Sequence, residues 1–178
     1  DDEAPCAQAG EVSVVRGAAV VQDLAAAQER CAELVDVDEL YQAFKEAGLS
    51  YGPSFRTMAK AWRGDMEAVV RLELPASAEP WERGLLTLHP GLLDGAIQAF
   101  GVANGYGDCK AILASRKLPR LLLPSTVGRM VVAPSGKIAP VVWAVARVTE
   151  VGEHFFVGNL SILTNSGHTL LTIEGLPT

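Results

Sequence analysis

Apolar positions change their spacing along this chain, and the change separates helical from β-rich stretches. In the segment Leu88–Phe100, Leu92, Leu93, Ala96, Ile97 and Phe100 recur every three or four residues. At about 100° per residue this puts them on one broad face, with Asp94 and Gln98 together on the other side. Pro90 suits the first helical turn, where its missing N–H has no partner to lose, so the spacing predicts a helix starting there. Gly91, Gly95 and Gly101 flank the polar face, which lets another backbone or a thin substrate approach it. Taken alone, Asp94 and Gln98 read as a solvated outer face.

Two shorter helices precede it. Asp36 with Glu39 has the form of a capping box, and Leu40, Tyr41, Phe44 and Ala47 then recur at helical spacing until Gly48. Asp23 can cap an alanine-rich stretch ending near Arg30, which reads as a weakly anchored helix or connector. Leu49–Phe55 carries Gly52 and Pro53 between two aromatics and predicts a tight bend, with Tyr51 as a rim aromatic on the plain reading.

The remaining pattern is β. Alternation predicts strands at Glu11–Arg16 and at Met66–Leu74, the latter after a turn at Trp62–Asp65. Five more follow, at Leu118–Leu123, Val127–Ala133, Val141–Val148, Phe155–Leu163 and Thr169–Gly175, separated by Pro, Gly and Asn-Ser-Gly punctuation. Five strands in succession imply an antiparallel meander. With the strand near Met66, the expected fold class is α+β, a curved antiparallel β-sheet wrapped around the long central helix, the arrangement called a hot dog. Residues 1–30 read as an N-terminal linker or the remnant of a preceding unit, and residues 31–178 as the domain. Residues 76–84 and 101–117 read as loops, the second with a helical turn near Cys109–Ser115.

Composition narrows the function classes. The chain has 178 residues, 49% hydrophobic and 20% charged, enough for one substantial core. Fifteen Lys and Arg against twenty-one Asp and Glu give a net charge of -6 with no basic cluster, which argues against nucleic acid as a partner. Cys6, Cys31 and Cys109 are widely spaced and match neither a disulfide framework nor a metal site, so no metal is expected and a reducing cytoplasm fits. No apolar run approaches the roughly 18 residues of a membrane span.

Three motifs in order, Tyr51-Gly52-Pro53-Ser54-Phe55, then His89-Pro90-Gly91-Leu92-Leu93-Asp94 with Gln98, then Leu123-Pro124-Ser125, resemble the dehydratase domain of modular polyketide synthases, from about Cys31 to Gly175. In that family two hot dogs in one chain form a pseudo-dimer. The second supplies an aspartate from its central helix, and a histidine from the first faces it. The resemblance implies that Asp94 is that aspartate and catalytic, and that Gln98 is its hydrogen-bonding companion. Tyr51 is implied to line the substrate tunnel, and Gly52, Pro53, His89, Leu93 and Pro124 to contribute to substrate binding. The chain matches the second half. The family's His-x-x-x-Gly-x-x-x-x-Pro motif is missing upstream, and His154 with Gly158 echoes it only in part, because Leu163 stands where the proline belongs.

Dehydration of a β-hydroxyacyl thioester needs a base for the α-proton and an acid for the departing hydroxyl. A carboxyl serves as that acid when an apolar channel or a hydrogen bond tunes and holds it, so Asp94 is expected to face a narrow apolar channel. His89, extended before Pro90, reads better as an anchor of the helix start than as the base. The resemblance implies a substrate carried on the phosphopantetheine arm of an acyl carrier protein, with no cofactor bound by the chain itself. Implied partners are that carrier, neighbouring synthase domains and a second hot dog in cis or as a homodimer. Alternatives are a dehydratase-like domain catalysing isomerisation, cyclisation or branching, and a non-catalytic structural hot dog.

Overall fold

Local sequence decides where the first helices begin. The computed structural model describes residues 14–16, 21–75, 88–105, 124–133, 141–152 and 155–177. In it a short strand β1 (Val14–Arg16) precedes α1 (Leu24–Arg30), whose first turn is capped by the Asp23 carboxylate accepting from Ala26 N–H. After β2 (Glu33–Val35), the Asp36 carboxylate accepts from the N–H groups of Asp38 and Glu39 and opens α2 (Val37–Glu46). Leu40, Tyr41 and Phe44 bury their side chains, and Gly48, at φ +99°, takes the left-handed turn that follows the helix.

The strand expected at Met66–Leu74 is β4 (Glu67–Glu73), and it has an antiparallel partner the alternation did not reveal, β3 (Met58–Arg63). Trp62 and Arg63 therefore belong to a strand, and the turn comes later, around Gly64–Met66. A register shift between Met58 and Lys60 puts the inward residues Met58 and Ala61 three apart, so the period of two is broken where it would have been read.

The long helix α3 (Pro90–Ala103) is followed by β5 (Arg129–Val132), β6 (Val141–Val151), β7 (Phe156–Leu163) and β8 (Thr169–Pro177). One sheet runs β1-β5-β8-β7-β6-β4-β3-β2, antiparallel except for the β1–β5 pair. The simple meander is not formed. Of the strands after α3, β6, β7 and β8 follow one another, whereas β5 pairs with β8 and β6 returns to lie beside β4, the end of a second run β2-β3-β4. The strand expected at Leu118–Leu123 lies outside the described residues, as do the loop at 76–84 and residues 106–117 of the loop expected at 101–117; its first residues are not loop, because α3 continues through Gly101 to Ala103. The fold is the α+β hot dog.

α3 packs mainly on β4 and β6. Ala68, Val70 and Leu72 on β4 and Val142, Ala144 and Ala146 on β6 point inward and meet Leu92, Ala96, Ala99 and Phe100 of α3. The alternate residues face outward, where Ala27 of α1 and Cys31 just after it cover Val69. Cys31 is fully buried, which pushes its thiol up to about 11 and leaves it a packing residue.

The expected weak anchoring of α1 is corrected by one cluster. Arg30 Nε and Nη2 donate to the two Glu67 carboxylate oxygens at 2.8 Å, and Arg147 Nη2 donates to Glu67 Oε1 at 3.0 Å. The Arg30 fork, helped by Arg147, holds the Glu67 carboxyl below its ordinary value of 4.5 although burial opposes it. The resulting stability is present above pH 4.5 and fades as pH falls through the lower, folded value. Glu67→Gln is accordingly expected to lower Tm at neutral pH and to flatten the loss of Tm below that point, measured by circular dichroism melts across an acid series.

Candidate active site

α3 owes its start to His89 as much as to Pro90. His89 is extended, at φ -67° and ψ 135°, and its Nδ1 accepts from Gly91 N–H at 3.0 Å. The ring is buried and acts as the helix cap, which bears out the anchoring role read from the sequence. Removing a cap costs about 1 kcal/mol, so His89→Ala is expected to lower Tm and His89→Asn, whose amide oxygen can accept the same bond, to recover that part.

The two faces of α3 differ from the expected division. Gln98 is buried at 5% exposure, whereas Leu93 and Ile97 are only half-buried and share their partly exposed stripe with Pro90, Asp94 and Gly101. The cause is a polar partner on the side where water was expected. The segment Ser54–Thr57, entered through a 3-10 turn at Pro53–Phe55, closes onto the glycine side of the helix. A Cβ at Gly91 would overlap Ser54 O, and a Cβ at Gly95 would overlap Thr57 Oγ1. This is the close backbone approach that the glycines foretold. Thr57 Oγ1 donates to Gly91 O at 2.9 Å, and Gln98 Nε2 donates to Phe55 O at 3.1 Å.

The same Gln98 nitrogen donates to Asp94 Oδ2 at 2.6 Å. Both amide hydrogens are thereby committed, one to the loop and one to the carboxylate. Gln98 Oε1, also buried, has no hydrogen-bond partner among the described residues. An amide so oriented has no donor left to offer a third group.

An aromatic cluster closes the other side. Tyr51 packs edge-on against Tyr41 and Phe44 of α2, with ring centroids 5.9 and 5.5 Å away. The Arg56 guanidinium lies 4.6 Å above the Tyr41 ring, and Met58 N–H donates to the Tyr41 hydroxyl. Burial, and after it the Asp94 charge, pushes Tyr51 up to about 12. Burial also raises Tyr41, and the Asp94 charge adds to it, which puts the carboxylate in electrostatic reach of both phenols. Tyr51 thus keeps its proton at neutral pH and remains a donor.

Of the residues singled out from the sequence, Asp94, Gln98 and Tyr51 come together. His89 caps the helix that carries them, and Leu93 flanks Asp94 on the half-buried stripe. Gly52 and Pro53 are exposed at the turn after Tyr51. Pro124 is exposed too, held instead at the end of β8, where Ser125 N–H donates to Pro177 O. His154 lies outside the described residues. The apolar channel expected around Asp94 is not closed by the described residues, since its side chain sits half-buried on the open stripe of α3. Thr57 and the carbonyl of Phe55 went unnoticed in the sequence, where only the glycine spacing hinted at them.

Comparison with known proteins bears on this arrangement. A family model described as "Polyketide synthase dehydratase N-terminal domain" matches residues 19–178. Polyketide synthase ThaG of Burkholderia thailandensis is 32% identical over 146 residues, covering 82% of this chain and 2% of that protein. Polyketide synthase PksN of Bacillus subtilis is 28% identical over 182 residues, covering 94% and 3%. Among solved structures, the dehydratase domain from the CurK module of curacin polyketide synthase superposes with a TM-score of 0.72 at 29% identity, covering 88% of this chain and 51% of that one. An inactive aspartate-to-asparagine mutant of the CurK dehydratase superposes with a TM-score of 0.74 at 27% identity, with the same coverage. The chain therefore spans 2–3% of these relatives' length and 51% of the solved dehydratase domain.

Proposed function

The chain belongs to the polyketide synthase dehydratase family, and from that premise we propose that it is the second hot dog of a dehydratase whose general acid is Asp94. The observation that carries the reading is the Gln98 amide clamped between Phe55 O and Asp94 Oδ2. It holds one carboxyl oxygen and so fixes the direction in which the other points. The assignment to the second half rests on residues. The chain carries the His-Pro-x-x-x-Asp-x-x-x-Gln element on α3 and lacks the histidine motif of a first half, although the description of the matched family model names the N-terminal domain.

The substrate is a β-hydroxyacyl thioester on the phosphopantetheine arm of an acyl carrier protein. A histidine from the other hot dog takes the α-proton, Asp94 protonates the β-hydroxyl, the carbon–oxygen bond breaks and water leaves an enoyl thioester. The other hot dog covers the half-exposed stripe of Pro90, Leu93, Ile97 and Gly101 and so completes the channel around Asp94.

The test joins this chain to a hot dog bearing the histidine and supplies a 3-hydroxyacyl carrier protein. Loss of water, followed by mass spectrometry of the acyl arm, is the expected result. An assembled pair that leaves the hydroxyacyl chain intact while shifting the double bond of an enoyl one would replace dehydration by isomerisation. A pair inert to both would leave a structural domain.

A further inference from the structure

We infer that Thr57 is a positioning residue for the Asp94–Gln98 pair, a step that rests on the dehydratase reading above. Thr57, immediately before β3, is 1% exposed, and its hydroxyl donates to Gly91 O in the first turn of α3 at 2.9 Å. Its backbone is fixed independently, because Glu73 N–H donates to Thr57 O at 2.8 Å and ties it to β4. The hydroxyl therefore connects a fixed point on the sheet to the beginning of the helix. Its methyl lies 3.4 Å from where a Cβ on Gly91 would be, so the side chain fills the notch that Gly91 and Gly95 leave open.

The consequence appears two turns along the helix. Gln98 bridges Phe55 O at 3.1 Å and Asp94 Oδ2 at 2.6 Å with one nitrogen. Phe55 precedes Thr57 by two residues, so the pin at Gly91 and the bridge at Gln98 belong to one rigid clasp. A slip of α3 by about 1 Å relative to this segment carries the longer bond out of hydrogen-bonding range. Gln98 is then free to rotate, Asp94 loses its fixed partner, and a displacement of this size at a reacting group costs up to about a hundredfold in rate. Gly91 O keeps its place in the helix when the hydroxyl is removed, so what is lost is the register and not the helix.

Thr57→Val keeps the shape and deletes the donor, and Thr57→Ser keeps the donor. In the two-hot-dog enzyme Thr57→Val is expected to lower kcat by about tenfold or more with KM changed less than about twofold, and Thr57→Ser to restore kcat. In a Gln98→Leu background Thr57→Val is expected to add nothing, because the route through Gln98 is already cut. In this chain alone, the Gln98 side-chain amide protons are expected to exchange faster in Thr57→Val than in wild type by NMR. Wild-type kcat in Thr57→Val, equal losses in Ser and Val, additive losses with Gln98→Leu, or unchanged amide exchange each overturns the inference while leaving the dehydratase reading intact. A wild-type enzyme that eliminates no water overturns the dehydratase reading itself.

Discussion

Asp94→Asn is expected to abolish water elimination, lowering kcat by about a thousandfold or more, while leaving the fold in place. General acid catalysis by one positioned group contributes about 10²–10⁴-fold, and the asparagine amide has no proton it can deliver to a departing hydroxyl. The substitution is nearly isosteric. Its amide oxygen still accepts from Gln98 Nε2 as Asp94 Oδ2 does, so the clasp to Phe55 O survives and stability should barely change. A second readout needs no partner domain. Burial, the Asp94 charge and the neighbouring Tyr41 together push Tyr51 up to about 12, and neutralising Asp94 removes the second of these, so the Tyr51 phenol should ionise at lower pH in the variant. Spectrophotometric titration reads this in the single chain. A variant that loses activity without any movement of Tyr51 would mean that Asp94 is not where its chemistry requires it; a variant that keeps activity would assign the acid elsewhere. Gln98→Leu is the companion experiment, and it should cost less because the acid itself remains.

What the sequence disclosed is what short-range chemistry controls. The carboxylates of Asp23 and Asp36, the ring of Pro90 and the glycine at position 48 each act on the backbone within one turn, and all four mark helix ends in the structure. Strand neighbours are different in kind. Alternation says that a segment has two faces but not which strand lies beside it, so β5 pairing with β8, and β6 with β4, had no signal in the chain. The β3 strand was hidden for a third reason, the register shift that sets its inward residues three apart. The site divides in the same way. Asp94, Gln98 and Tyr51 were nameable because their spacing resembles a family motif. The burial of Gln98 was not, because it depends on Phe55 O, a backbone atom supplied from 43 positions earlier in the chain. Only Gly91 and Gly95 carried a trace of that contact, by making room for it.

Gly95→Ala should lower Tm, although a methyl at a helix position ordinarily raises it. In an isolated helix the exchange favours alanine by about 1 kcal/mol. Here the new Cβ would overlap Thr57 Oγ1 and lie 3.1 Å from Leu72 Cδ2, in a layer where both neighbours are buried. Overpacking of this kind costs about 1–3 kcal/mol. Displacing the Thr57 hydroxyl from Gly91 O strands a buried donor for about 1–3 kcal/mol more. A net loss of about 3 kcal/mol corresponds to a Tm lower by about 6–12 °C in a chain of this size. Thr57→Ala removes the overlapping oxygen, so the double variant Gly95→Ala/Thr57→Ala should melt above Gly95→Ala alone, a departure from additivity expected only of residues in contact. Gly52→Ala supplies the contrast, since a Cβ there meets nothing within 4 Å and its φ of -75° suits any residue. It should be neutral or stabilising by up to about 1 kcal/mol. If Gly95→Ala melts at or above wild type, α3 does not rest against Ser54–Thr57 at this distance, and the clasp that positions Gln98 and Asp94 falls with it.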